Sequence, residues 1–123
     1  MFSKNRIVLH TSEAIYFVDT KDILYCESDN SYTTFYLATL ETIVVSGNIK
    51  DYENQLAECG FIRPHQSYLV NLAHLQRIDK TNGFTIILTG NKQIPTSTRK
   101  KKEILQILQN ELRFQTKPRL IQV

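Results

Sequence analysis

The chain has 123 residues, 41% hydrophobic and 22% charged, with a formal net charge of +3. That composition fits one globular domain and excludes disordered and collagen-like classes. No apolar run is long enough to cross a bilayer, and the opening Met-Phe-Ser-Lys-Asn-Arg lacks the apolar stretch of a secretion signal, so a cytoplasmic protein without membrane contact is expected.

In chain order, residues 7–9 and 14–18 are short runs of β-branched and aromatic residues that read as a hairpin. A strand is expected over residues 23–27, then a strand pair over 32–37 and 42–45. Asn48 caps a helix of roughly three turns whose apolar stripe is Ile49, Tyr52 and Leu56, and Gly60 stops it. Strand character returns at 68–70, 75–78, 84–88 and 93–94, with Asn82-Gly83 and Gly90-Asn91 as turn signals, and the last three strands form a meander. After Pro95, Thr96-Ser97-Thr98 can cap a second helix with an apolar face of Ile104, Leu105, Leu108 and Leu112, ending before Pro118. The apolar end Leu120-Ile121-Gln122-Val123 reads as frayed or as pairing with an edge strand. Cys26 and Cys59, with no CxxC or Cys/His spacing, read as buried free thiols. The aromatic residues Tyr16, Phe17, Phe35, Tyr36 and Phe84 fall mostly inside strand patterns, where core packing is the default.

Charge is unevenly spread. Residues 1–60 hold four Lys/Arg against nine Asp/Glu, and residues 61–123 hold eleven against three. A basic half points to a polyanionic partner, the plainer reading being lysines that solvate a helix face. Arg99-Lys100-Lys101-Lys102 stands at a helix start, where the backbone dipole is already positive and each cation costs about 0.3–1 kcal/mol. DNA phosphates, or a guanine edge for Arg99, would offset that cost. A later helix start, near Lys102, weakens the dipole argument and leaves an exposed basic cluster. Further donors occur at Arg63, His65, Gln66, Asn71, His74, Arg77 and Lys80.

The string Phe61-Ile62-Arg63-Pro64-His65-Gln66-Ser67-Tyr68-Leu69-Val70-Asn71-Leu72 closely resembles the signature of LytTR-type DNA-binding domains. Residues 23–32 resemble that family's strand-loop element, and Ile94-Pro95-Thr96-Ser97-Thr98-Arg99 its later segment. The resemblance covers roughly residues 5–112, which sets a domain at 1–112 and a tail at 113–123. It implies a mainly β fold with short helices, an elongated arrangement of small antiparallel sheets plus a C-terminal helix. It also implies sequence-specific binding of double-stranded DNA through loops, as the output domain of a bacterial two-component response regulator.

Base contacts are expected from Ser31, Tyr32 and Thr33, from His74 and from Arg99. Phosphate contacts are expected from Lys100, Lys101 and Lys102, with Arg77 beside them. His65, Ser67 and Asn71 organise the fold. Gln66 and Thr98 depart from basic residues frequent in the family, which removes two phosphate contacts. The expected partners are duplex DNA, an N-terminal receiver domain outside these 123 residues, and a second copy on repeated half-sites. Neither cofactor nor metal is implied, and the chain reads equally as an excised output domain or as a short stand-alone regulator.

Two competing classes remain. An enzyme would enlist His10, His65 or His74 for acid/base work, but the chain lacks HExxH, a nucleophile elbow, a Gly-rich phosphate loop and paired carboxylates. No catalysis is expected. A β-rich module whose basic face meets an acidic protein or an RNA is the main alternative, and a single-strand binder would need exposed aromatic platforms.

Overall fold

A computed structural model describes residues 5–81 and 83–112. The first hairpin pairs β1 (Arg6–His10) with β2 (Ile15–Asp19), as its runs of β-branched and aromatic residues predict. A five-stranded antiparallel sheet follows, built from β3 (Ile23–Asp29), β4 (Tyr32–Leu37), β5 (Thr42–Ser46), β6 (Phe61–His65) and β7 (Tyr68–Asn71), in the order β5-β4-β3-β7-β6. Helix α1 (Ile49–Gln55) lies between β5 and β6. The three-stranded meander of β8 (Leu75–Asp79), β9 (Thr85–Leu88) and β10 (Lys92–Pro95) leads through a 3-10 turn at Thr98–Lys100 into α2 (Lys101–Leu112).

Alternation along the central strands separates two cores. Cys26, Phe35, Ile43, Val45 and Leu69 face the hairpin residues Ile7, Leu9 and Val18 and the α1 stripe of Ile49 and Leu56. On the other face Tyr25, Ile62 and Val70 pack with Ile86, Leu88 and Ile94 of the meander and Ile104 of α2. A register shift in β3 between Ile23 and Tyr25 lets the adjacent Leu24 and Tyr25 both enter this second core. Both cysteines are free; Cys26 is buried and Cys59 half-buried against the first core.

Four sequence expectations need correction. Phe61–His65, to which the sequence pattern assigns no element, is a strand. β6 is an edge strand with a register break between Ile62 and His65, so Pro64 need not donate to the ladder. Helix α1 has seven residues, about two turns, because the chain leaves helical geometry at Leu56 and reverses through Gly60, at φ +83°. On α2 the buried stripe is Ile104 with Ile107 and Leu108, while Leu105 is exposed, and no side chain caps the preceding 3-10 turn. Of the aromatics, Phe35 and Phe84 are buried, but Tyr16 and Phe17 are exposed on β2 and Tyr36 is half-buried. Asn82, the side chain of Leu112, Pro118 and the tail 113–123 lie outside the described residues.

Asn71 closes the sheet. Its buried amide donates to the carbonyls of Thr20 (3.1 Å) and Ile23 (2.9 Å), and its Oδ1 accepts from the Ala73 N–H (2.9 Å). Asn71→Ala removes all three of these bonds from a buried position, and a loss of about 2–4 kcal/mol is expected. Urea unfolding should show a lower midpoint at unchanged slope, and a midpoint within error of the parent would contradict this account.

Candidate nucleic-acid interface

Three chain segments meet at one end of the five-stranded sheet. The first is the β3–β4 turn, where Asn30 adopts φ +57° and the Ser31 carbonyl accepts from the Gly47 N–H at 2.8 Å. Gly47 has φ +113°, and a Cβ there would stand 3.3 Å from the Tyr52 hydroxyl, so the position suits only glycine. Ser31 and Tyr32 are exposed. Thr33 is fully buried and its hydroxyl donates to the Gly47 carbonyl at 3.0 Å, so it holds the loop and cannot reach a base.

The β6–β7 turn is the second segment, and Arg63 organises it. Its guanidinium donates to Glu53 on α1 (2.6 Å), to the His65 carbonyl (3.2 Å) and to the Gln66 carbonyl (2.7 Å), with only 16% of the side chain exposed. His65 Nδ1 accepts from the Ser67 N–H at 3.0 Å, and the Ser67 carbonyl accepts from the Ser28 N–H at 2.9 Å. His65 and Ser67 thus hold the turn, as the sequence reading expects, and Gln66 is exposed at its tip.

The third segment, the β10–α2 junction, is tied to the second by the Ser97 N–H, which donates to the Pro64 carbonyl at 2.9 Å. An open groove of about 370 Å3 results, lined by Lys50 of α1, by Arg63 and Gln66 of the β6–β7 turn, and by Arg99 and Lys100 at the start of α2. Four cations line it against one carboxylate, Glu53, which Arg63 already engages. Lys100 stands 3.6 Å from Glu103, and Lys101 Nζ lies 5.4 Å from the Phe84 ring centre. Arg99 and Lys102 are exposed.

His74 is not part of this assembly. Strand β7 crosses the sheet from Tyr68, opposite Glu27, to Asn71, so His74 emerges at the end where β3 begins. There its Nε2 donates to the Lys21 carbonyl at 2.7 Å. Arg77, exposed in mid-β8, does not line the groove. Sequence reasoning passed over Lys50, although it is the lone cation between residues 22 and 62. Gln66, one of the donors the sequence offers, is among the groove's lining residues.

Beneath the first two turns, Glu27 accepts from the hydroxyls of Tyr36 (3.4 Å) and Tyr68 (3.2 Å), and Tyr25 stacks on Tyr36 with ring centres 4.4 Å apart. Burial first, then the neighbouring tyrosines and the Glu27 charge, push the Tyr25 hydroxyl up to about 12. Burial and the Glu27 carboxylate raise Tyr36 and Tyr68 as well. Among the described residues no group of three or more His, Cys, Asp or Glu could hold a metal ion.

The model of the LytTr DNA-binding domain family matches residues 13–109. The sensory transduction protein LytT of Bacillus subtilis is 28% identical over 108 residues, which are 85% of this chain and 44% of that protein. The CO-responsive transcriptional regulator RcoM of Rhodospirillum rubrum is 30% identical over 87 residues, 69% of this chain and 36% of that protein. The chain thus spans less than half the length of these relatives. A solved LytTr DNA-binding domain of a response regulator from Bacillus cereus shares the fold, with a TM-score of 0.75 at 21% identity over 86% of this chain and 98% of that one.

The tyrosine cluster makes stability depend on alkaline pH. Raised hydroxyls stabilise the fold fully below about pH 10, the ordinary tyrosine value, and that contribution is lost as pH rises towards about 12. The urea midpoint should hold steady up to about pH 9.5 and fall between about pH 10 and 12. Glu27→Gln should blunt the fall, because Tyr36 and Tyr68 then lose the carboxylate that raises them. A parent midpoint that stays flat to pH 12 would contradict the assignment.

Proposed function

The chain belongs to the LytTR DNA-binding domain family, and on that premise we propose that it binds double-stranded DNA sequence-specifically, as the output module of a bacterial two-component transcription regulator. The observation that carries this reading is a basic groove onto which the β6–β7 turn and the β10–α2 junction converge, with the β3–β4 turn beside the β6–β7 turn at the same end of the sheet. An interface of turns can enter a groove of the duplex at several points, with base edges deciding sequence and phosphates deciding strength.

In this reading Ser31, Tyr32 and Arg99 meet base edges, joined by Gln66. Lys100 and Lys102 meet phosphates, and Lys101 does so when it leaves the Phe84 ring. Thr33 and His74 act on the fold, and Arg77 is assigned no contact. The reading calls for no catalysis and a cytoplasmic site of action. The matched relatives extend well beyond this module, which leaves room for a receiver domain whose dimerisation sets two modules on repeated half-sites.

Selection from random duplexes at two salt concentrations tests the reading. An enriched motif is expected, with affinity falling steeply as salt rises. Arg99→Ala should cost about 1–3 kcal/mol on that motif and relax the preference, while Lys102→Ala should weaken all duplexes alike. Better competition by single strands or RNA than by duplex would sink the proposal in favour of the single-strand alternative.

A further inference from the structure

We propose that Lys50, on α1, is a DNA phosphate contact, so that one strand of the duplex backbone runs through the groove between α1 and the start of α2. This rests on the DNA-binding reading and extends it to an element outside the three loops.

The charge pattern makes Lys50 anomalous. Between residues 22 and 62 the chain carries seven carboxylates and this single cation. Folding brings it out of that acidic stretch to line the same groove as Arg99 and Lys100. Glu53, one turn further along α1, would be its natural i,i+3 partner. That carboxylate is instead held at 2.6 Å by Arg63, and Lys50 has no ion pair among the described residues. An exposed ammonium that shares a groove with two further cations is repelled by them unless an anion is bound there.

The groove is open and its walls come from three elements, which suits a backbone passing through. Arg63 is spent on Glu53 and on two turn carbonyls, so the cations left to meet a phosphate are Lys50, Arg99 and Lys100.

Salt titration of duplex binding tests this, using the parent chain, Lys50→Gln, Lys50→Arg and Lys21→Gln. Lys21 makes the same change in net charge at the far end of the sheet, where its exposed ammonium pairs with Asp22. Lys50→Gln should lower the slope of log affinity against log salt by about 1 and weaken every duplex severalfold, with base preference unchanged. Lys50→Arg should restore the slope and Lys21→Gln should leave it at the parent value. An unchanged slope in Lys50→Gln, or an equal drop in Lys21→Gln, would overturn the assignment while parent binding stands. A parent chain that binds no duplex would overturn the DNA-binding reading, and this proposal with it.

Discussion

Strand β3 hydrogen-bonds to β7 through Tyr25 with Val70, Cys26 with Leu69 and Glu27 with Tyr68. This pairing joins chain segments more than forty residues apart, and it unites the acidic first part of the molecule with the basic second part. Because β3 pairs with β4 along its other edge, the same ladder sets the β3–β4 turn beside the β6–β7 turn. Its two faces also feed two different cores, Cys26 towards α1 and the hairpin, Tyr25 towards the meander and α2. The loops therefore inherit their relative positions from a sheet buried on both faces, where a one-residue slip would exchange the two cores.

Arg63 extends that constraint to the surface. A nearly buried guanidinium costs desolvation energy, which three well-placed acceptors offset. Its planar fork addresses a carboxylate and two carbonyls at once, which the point charge of a lysine does not reproduce. The basic motif residue thus serves geometry: it locks α1 to the turn that carries Gln66 and neutralises the one carboxylate in a groove otherwise lined with cations.

Much of the fold is legible locally. β1 to β5 are short runs rich in β-branched and aromatic residues, and their bounds follow from those runs to within two residues. β6 is hidden by Pro64, whose meaning depends on the strand lying at an edge, which is a tertiary fact. Leu105 fits a helical stripe as well as Ile107 does, and only the docking of α2 decides between them. The site is less legible because it depends on which ends of strands coincide. Gln66 and His74 stand eight positions apart, yet the four residues of β7, at about 3.3 Å each, carry the chain across the sheet between them. Thr33 resembles its exposed neighbours in composition, but the pleat turns it inward.

An interface built from turns bears on strength as well as on sequence choice. Each turn offers one or two side chains, so in the proposed reading a single module would command about four phosphate contacts, from Lys50, Lys100, Lys101 and Lys102. With a slope near 0.9 per contact, raising salt from about 50 to 200 mM lowers the affinity of such a module about a hundredfold. Two modules fixed on one duplex double the number of contacts, and the second binds at the high effective concentration set by the first. Such pairing would restore strength that no single turn supplies, without enlarging a domain whose sheet already spends its faces on two cores.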